Sequence, residues 1–291
     1  MNALPAHRSV LFVPANKERF VEKANTRGAD AILLDLEDAV APAEKEAARK
    51  ALPAAVAKIT SNGTPVGVRI NRPLEMAVRD IEAAVIPGVG WLSITKVEGP
   101  LHVRLLSEVV ATREAAMGIA HGTVKFSLAV ETAAAWFDLA AIAKSDPRAV
   151  SLGLGSEDFA LSCGIEPTTE ALLMPKQHVV IAARAAGILP MGFAGSIADF
   201  GDLDAFRAMV RRSRALGFVG ASCIHPAQVA ILNEEFGPKP DEIIYARRVV
   251  AENDAAAARG EGAFQLDGKM IDAPIVMRAR NLLAWAGRLG M

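Results

Sequence analysis

Eight short apolar runs recur at roughly even intervals along this chain of 291 residues, and charged or polar side chains directly follow several of them. The runs cover residues 10–13, 31–34, 66–68, 91–94, 126–130, 150–154, 188–193 and 218–222. Segments long enough to form helices separate them, and strands that alternate with helices are typical of a parallel sheet. Eight such units favour a sheet that closes into a barrel over one that stays open. The pattern therefore predicts an α/β fold, a (β/α)8 TIM barrel with its chemistry at the carboxyl ends of the strands.

A doubly wound open sheet is the alternative fold. It would place a glycine-rich phosphate-binding loop after the first strand. Residues 13–17 read Val-Pro-Ala-Asn-Lys instead, with no GxGxxG pattern, so the barrel is favoured. After the fifth and sixth strands we expect helices over residues 132–144 and 175–186.

The chain extends beyond what a barrel needs, since such a domain typically takes about 250 residues including all its loops. We predict a catalytic barrel over residues 1–235 and a C-terminal helical extension over residues 236–291. Within the extension, residues 241–259 and 273–289 read as helices, and residues 260–272 as a loop or short hairpin. This extension could serve as a structural cap or as a lid.

Composition excludes several classes of protein. The formal net charge of −1 predicts no nucleic-acid or anionic-membrane partner. No apolar run approaches the roughly 20 residues that span a bilayer, and the first residues show no signal-peptide pattern. The two cysteines, Cys163 and Cys223, are far apart, which favours a reducing, cytoplasmic setting. Cys223 is expected to be a small buried residue rather than a functional thiol.

Two carboxylates follow neighbouring strands. Glu131 ends the fifth run and Asp158 follows the sixth, so a barrel would bring both to one rim. Two carboxylates with water and a substrate oxygen suit Mg²⁺, whereas zinc would require a His or Cys cluster that this sequence lacks. The alternative is that each carboxylate simply caps the helix that follows it.

Cationic and acidic side chains follow the second to fourth runs. Arg69 could hold a substrate carboxylate in bidentate fashion, or pair with the acidic cluster at Asp35, Glu37 and Asp38, and both can be true at once. Either Asp35 or Glu37 could act as an acid/base group or orient another side chain. Lys96 is a further nearby cation, with a Schiff-base role as the sharper alternative. A serine triad is not expected, because GxSxG is missing.

These segments resemble one known family. Residues 8–16, 34–40, 68–71, 130–132, 155–159 and 223–228 look like the citrate lyase beta-subunit-like group of the HpcH/HpaI aldolase and citrate lyase superfamily. The resemblance covers essentially the whole chain, and it rests on these motifs jointly.

The resemblance implies a (β/α)8 barrel that cleaves or forms a carbon–carbon bond beside a CoA thioester. The family's Mg²⁺ carboxylates fall on Glu131 and Asp158, its substrate-carboxylate arginine on Arg69, and its acidic pair on Glu37 and Asp38. CoA enters as part of the substrate. Its phosphates need cations at the rim, and the candidates are Lys17 and Arg19, which could equally belong to a solvated helix face.

The tail resembles the lid of the malyl-CoA and citramalyl-CoA lyase branch, through residues 262–264 and 268–272. In that branch an Asp at the position of Asp272 is the acid/base, reaching the site from the lid, often of an adjacent subunit. A homo-oligomer is therefore expected, with a trimer as our choice. One departure stands near Ser162, where many members carry an Asp.

The resemblance implies a Mg²⁺-dependent lyase that splits a malyl-, methylmalyl-, citramalyl- or citryl-CoA type of thioester into an acyl-CoA and a 2-oxo acid. Three alternatives stay open. The enzyme could be a thioesterase, an aldolase of free 2-oxo acids, or a citrate lyase beta subunit that acts with an acyl-carrier partner.

Overall fold

The computed structural model describes residues 7–196 and 201–291, and within them eight parallel strands form one sheet. The strands are β1 Ser9–Pro14, β2 Ala31–Asp35, β3 Val66–Ile70, β4 Val89–Ile94, β5 Lys125–Val130, β6 Ala149–Leu154, β7 Leu189–Pro190 and β8 Ala221–Cys223. Each strand from β1 to β7 pairs with the next along the chain, and β8 pairs with β1. The predicted (β/α)8 TIM barrel is confirmed.

The barrel closes between its two shortest strands. A parallel bridge joins Met191 to Gly220, and the Gly192 N–H donates to the Gly220 carbonyl at 2.9 Å. Pro190 has no N–H for a ladder and Gly192 has a φ of 139°, so β7 is much shorter than its apolar run predicts. A Cβ at Gly220 would lie 2.0 Å from the His7 carbonyl oxygen, so the closing strand requires glycine there.

The described residues form twelve α-helices. They are α1 Glu18–Ala24, α2 Lys45–Thr60, α3 Leu74–Ala84, α4 Pro100–Ala116, α5 Ala133–Phe137, α6 Leu139–Ala143, α7 Ser156–Cys163, α8 Thr169–Ala186, α9 Leu203–Ala215, α10 Pro226–Phe236, α11 Pro240–Ala258 and α12 Ala273–Arg288. A short 3-10 turn, Pro42–Glu44, precedes α2. Among the described residues, no helix is long and apolar enough to cross a membrane.

Two helices differ from their sequence prediction. Residues 132–144 form two short helices, because the chain leaves helical geometry at Asp138. The helix predicted over 175–186 begins earlier, at Thr169, since the Thr168 hydroxyl accepts the Ala171 N–H at 3.2 Å and caps it. The connection before it holds α7, which the apolar pattern did not predict.

The main core lies between the strands and the surrounding helices. Side chains that point outward from the sheet are fully buried there, as expected for a parallel sheet that helices cover. They include Ile32, Leu34, Val68, Leu92, Phe126, Leu128 and Leu152.

A buried ion pair fastens α4 to the start of β6. Arg148 donates to both carboxylate oxygens of Glu114, at 2.8 and 2.6 Å, and also to the Val124 carbonyl at 2.9 Å. Both side chains are almost completely buried. Burial opposes ionisation of Glu114, but Arg148 and the Val124 and Gly122 N–H groups hold its pKa below the usual range.

Residues 237–291 form a second compact unit, and the first ends at Phe236. In the second unit, α11 and α12 are joined by an antiparallel hairpin of β9 Phe264–Leu266 and β10 Lys269–Ile271. Its core is built from the buried side chains of Ala246, Val249, Leu266, Ile271, Val276 and Ala279. An ion pair between Arg248 and Asp267, at 2.8 Å, ties α11 to the hairpin turn.

Replacing Glu114 by Ala should destabilise the barrel, because it leaves the Arg148 guanidinium buried without its counter-ion. We expect a loss of about 3 kcal/mol or more in the free energy of unfolding, measured by urea denaturation at pH 7. Because the folded pKa of Glu114 is lowered, the loss should shrink as the pH falls through that pKa. The double variant Glu114→Leu/Arg148→Met should recover most of it. Equal losses in the single and double variants would contradict this account.

Candidate active site

The carboxyl ends of five neighbouring strands bring the predicted reactive side chains together. Asp35 ends β2 and is in register with Arg69 on β3. Lys96 follows β4, Glu131 follows β5, and Asp158 lies in the first turn of α7, after β6. Contacts link these side chains into one cluster at the mouth of the barrel.

The Asp35–Arg69 ion pair anchors the cluster. Arg69 Nε donates to Asp35 Oδ1 at 2.8 Å and Nη2 donates to Oδ2 at 2.6 Å. The same carboxylate accepts the N–H groups of Glu37 and Ala39, at 2.8 and 3.0 Å. Burial opposes ionisation of Asp35, but these donors hold its pKa below the usual range. Asp35 therefore orients Arg69 and also fixes the turn that carries the acidic cluster.

Arg69 makes further contacts that fix its guanidinium. Its Nη1 lies 2.9 Å from Glu37 and 3.6 Å from Asp38. The guanidinium carbon lies 4.7 Å from the centre of the Phe12 ring, a cation–π contact. The ion pairs that the sequence offered as one interpretation of Arg69 are thus present, and the side chain is held rigidly at the mouth.

Lys96 joins the acidic cluster to Asp158. Its Nζ lies 2.9 Å from Glu37, 4.0 Å from Asp38 and 3.7 Å from Asp158. Burial alone would lower the pKa of Lys96, but these carboxylates raise it, which disfavours the neutral amine that a Schiff base requires. Its backbone has a φ of 49°, a left-handed conformation that favours glycine and that a non-glycine residue adopts at a cost.

Three side chains that sequence reasoning did not assign to the site brace the turn after β2. Lys45 donates to the carbonyls of Leu36 and Glu37, at 2.8 and 2.7 Å. Asn71 donates to the Leu36 carbonyl at 2.8 Å, and Asp80 accepts from Asn71 at 2.7 Å. These contacts satisfy backbone carbonyls that would otherwise be buried without partners.

Glu131 is buried and faces Asp158. Burial, and then the Asp158 carboxylate, raise the pKa of Glu131 to about 8. Glu131 does not cap the next helix, because the Thr132 hydroxyl accepts the Ala135 N–H in that role. A Cβ at Gly155 would lie 2.6 Å from Glu131 Cγ, so only glycine leaves room for the carboxylate.

The chemistry of this donor set fits a divalent cation. When all are ionised, the cluster's five carboxylates exceed its three cations by two charges. The five are Asp35, Glu37, Asp38, Glu131 and Asp158, and the cations are Lys45, Arg69 and Lys96. The described residues contain no group of three or more His, Cys, Asp or Glu placed to hold a metal. The pair of Glu131 and the partly exposed Asp158 suits Mg²⁺, which usually keeps several waters beside one or two carboxylates.

The predicted CoA cations are partly engaged elsewhere. Lys17 Nζ lies 3.2 Å from Glu44, and the Arg19 guanidinium carbon lies 4.5 Å from the Phe20 ring centre. No described contact joins either side chain to the carboxylate cluster. Their role in CoA binding stays a prediction.

Asp272 lies in the second compact unit, directly before α12. Its backbone carbonyl accepts the N–H groups of Ile275 and Val276, at 3.0 and 3.1 Å. Its exposed carboxylate caps no helical N–H and has no ion-pair or hydrogen-bond partner among the described residues. The Asp272 carboxylate therefore has no structural role in the described residues around it.

Two other sequence features are accounted for. Ser162, the position of the departure, accepts the Ala133 N–H at 3.0 Å and so braces the segment that follows Glu131. Cys223 is buried, and burial raises the pKa of its thiol to about 12, which agrees with a structural residue.

A buried lysine supports the loop after β7. The Lys176 ammonium, on α8, donates to the Gly195 carbonyl, which the Ser156 hydroxyl also approaches at 3.5 Å. The Lys176 side chain is almost fully buried, and burial lowers its pKa to about 7, with only partial compensation from Glu157.

Comparison with known proteins identifies relatives over nearly the full chain. The family model for HpcH/HpaI aldolase/citrate lyase matches residues 8–226. A citrate lyase subunit beta from Leuconostoc mesenteroides is 31% identical, over 98% of this chain and 95% of its own length. An L-malyl-CoA/beta-methylmalyl-CoA lyase from Cereibacter sphaeroides is 33% identical, over 96% and 94% respectively.

Solved structures give the same result. CitE from Mycobacterium tuberculosis, crystallised with magnesium, acetoacetate and coenzyme A, superposes with a TM-score of 0.76 at 28% identity, over 97% of this chain and 98% of that one. A citrate lyase from Burkholderia xenovorans gives a TM-score of 0.83 at 20% identity, over 99% and 93%, and supports the fold alone.

The Lys176→Met variant should change how stability depends on pH. The pKa of Lys176 is about 7 in the folded state and 10.5 ordinarily. Burying the charged ammonium therefore lowers the free energy of unfolding by its full amount below pH 7, and this loss disappears as the pH rises towards 10.5. Between about pH 7.5 and 9, the free energy of unfolding of the wild type should rise, relative to that of the variant, by about 1 kcal/mol per pH unit. Urea denaturation across this range measures it, with the exposed Lys144→Met as control. Parallel pH profiles for wild type and Lys176→Met would contradict the assignment.

Proposed function

The chain belongs to the HpcH/HpaI aldolase/citrate lyase family, and we propose that it is a Mg²⁺-dependent carbon–carbon lyase of CoA thioesters. Its substrate is a 3-hydroxyacyl-CoA of the citramalyl, malyl or citryl type. A reversible Claisen-type reaction splits this thioester into an acyl-CoA and a 2-oxo acid.

One observation carries the proposal. The rigidly held Arg69 guanidinium shares the barrel mouth with the facing carboxylates of Glu131 and Asp158. This arrangement offers a cation for a substrate carboxylate beside an anionic pair for a metal. The relatives of known structure include one that binds magnesium, acetoacetate and coenzyme A, which are the kinds of component that such a reaction brings together.

Glu131 and Asp158 would hold the Mg²⁺ ion. When bound, Mg²⁺ acts as a Lewis acid that polarises the hydroxyl or keto oxygen of the 2-oxo-acid half. Gly155 supports this role of Glu131, because its missing side chain gives the carboxylate its place. Lys96 lies close enough to Asp158 to help orient it.

Arg69 binds the substrate carboxylate, or the anion that develops on the 2-oxo-acid half. The bidentate contact with Asp35 holds the guanidinium in one position, so the long Arg69 side chain is already ordered before the substrate binds. Glu37 and Asp38 bridge Arg69 and Lys96, which holds the two cations apart at fixed positions.

Asp272 moves the proton at the carbon next to the thioester. During cleavage the substrate hydroxyl loses its proton to solvent and becomes the keto group, the carbon–carbon bond breaks to leave the thioester enolate, and protonated Asp272 delivers a proton to the enolate carbon. During synthesis the Asp272 carboxylate removes a proton from that carbon, the carbon–carbon bond forms, and the resulting alkoxide takes up a proton from solvent. Residues 1–235 then form the catalytic barrel, and residues 236–291 form a lid that excludes water from the enolate. The lid serves its own or a neighbouring subunit, in a homo-oligomer that we take to be a trimer. Lys17 and Arg19 are the candidates for contacts with CoA phosphates.

A citrate lyase beta subunit is the second candidate, because relatives with that name match the chain over nearly its full length. Such a subunit would need an acyl-carrier partner for turnover.

Turnover of malyl-, methylmalyl-, citramalyl- and citryl-CoA, with Mg²⁺ and with EDTA, tests the proposal. Wild type should release acetyl- or propionyl-CoA and a 2-oxo acid from at least one thioester, and EDTA should abolish this release. Asp272→Ala should lower the rate by about 100-fold or more, since it removes the acid/base. The control Asp254→Ala, at an exposed carboxylate on α11, should retain wild-type rates.

Two results would contradict the lyase. Release of free CoA with the hydroxy acid intact would identify a thioesterase. Absence of turnover with every thioester would instead favour an aldolase of free 2-oxo acids or the partner-dependent beta subunit. The assay would then be repeated with free acids and with an acyl-carrier partner.

A further inference from the structure

A cavity of about 450 Å³ lies inside the barrel, towards the amino-terminal ends of the strands. Its wall includes residues at or near the start of β3 to β7, such as Val66, Gly90 and Lys125. The candidate active site lies at the other ends of the same strands. Ser127, in the cavity wall, and Glu131 are separated by four residues along one strand direction, which is about 13 Å. The cavity is therefore distinct from the carboxylate cluster.

The cavity exists because the interior side chains of adjacent strands are small. TIM-barrel interiors are normally filled by layers of bulky branched residues. Here Ser93, Ser127 and Ser151 stand side by side in register on β4, β5 and β6, and they leave that layer unfilled. A Cβ at Gly67 would lie 2.1 Å from the Trp91 ring, so the indole occupies the place of a missing side chain and forms one wall.

The wall combines an apolar body with a few polar groups. Val10 and Leu33 belong to a buried cluster against which Trp91 packs. The Ser151 hydroxyl bonds to that of Ser127 at 2.8 Å. Ser93 also lines the cavity. Most of the wall is thus hydrophobic, with hydroxyl groups available to an occupant.

Lys125 supplies a positive charge without a counter-ion. Its ammonium has no ion pair or hydrogen bond among the described residues, although the residue lines the cavity and is only partly exposed. His7 also lines the cavity and stacks on Trp91 at 5.5 Å between ring centres. The nearby carboxylate of Asp30 is already paired with Arg8, at 2.7 Å. An anionic group on the occupant would complete this charge balance.

We propose that the cavity is a second ligand site, which binds a small monocarboxylate with an apolar body. The apolar part fills the space between Trp91, Leu33 and the serine layer, and the carboxylate reaches Lys125. The size is sufficient, because an apolar cavity of about 150 Å³ already holds benzene. Pockets of this kind, mostly hydrophobic with a few convergent polar groups, are typical of small-molecule sites.

Benzoate is the probe, titrated calorimetrically into the full-length protein at pH 7, with benzyl alcohol as the uncharged control. Wild type should bind benzoate saturably and benzyl alcohol at least about tenfold more weakly, because the alcohol lacks the negative charge that pairs with the Lys125 ammonium. Lys125→Met should weaken benzoate binding by about tenfold or more. Ser127→Leu, which fills the layer, should abolish it. Neither variant touches the carboxylate cluster, so both should retain wild-type turnover of the best thioester substrate.

A crystal structure with benzoate should show the probe between Trp91 and Lys125. Equal benzoate affinity in wild type and Lys125→Met would overturn the proposal, since it would place binding elsewhere, for example at Arg69. So would a crystal structure in which the cavity holds only water or the chain's own residues 1–6. If Ser127→Leu does not fold, Lys125→Met and the crystal structure still decide the question. Binding is measured without turnover, so this result is independent of the proposed lyase activity.

Discussion

The concentration of negative charge at the carboxyl ends of the strands is the constraint on which this structure depends. Like-charged carboxylates this close cannot all ionise without cations between them. The chain meets the demand in part with Arg69 and Lys96, each shared between several carboxylates. Glu131 and Asp158 remain face to face. Burial, and then the Asp158 carboxylate, raise the pKa of Glu131. In our proposal a divalent cation held by the two carboxylates compensates their charge.

The barrel makes this arrangement possible because the residues that stabilise the fold are different from those that form the charged cluster. Outward-facing apolar side chains and the Arg148–Glu114 pair hold strands and helices together, and none of these groups belongs to the carboxylate cluster. The mouth can then carry features that are costly alone, such as the left-handed backbone at Lys96. The interior, in contrast, is not filled to the usual extent, since serines replace bulky side chains along three adjacent strands.

The fold and the positions of the main site residues could be predicted because both depend on local patterns. An apolar run that stops at a carboxylate marks a strand end, and parallel strands bring such ends together, as with Asp35 and Arg69. What was missed depends on contacts distant in sequence or on local backbone geometry. Lys45 and Asn71 brace the turn after β2 only once α2 and β3 are in place. The shortness of β7 follows from Pro190 and Gly192, and the division of one predicted helix from the break at Asp138.

Direct titration of Mg²⁺ by calorimetry tests the central claim, that the facing carboxylates form the metal site. The measurement compares the wild type with Glu131→Gln, and with Glu157→Gln as a matched control at a neighbouring carboxylate that contacts Ser196. We expect one Mg²⁺ per chain, at least about tenfold weaker binding in Glu131→Gln, and a change below about twofold in Glu157→Gln. Wild-type affinity in Glu131→Gln, or no binding to the wild type, would contradict it.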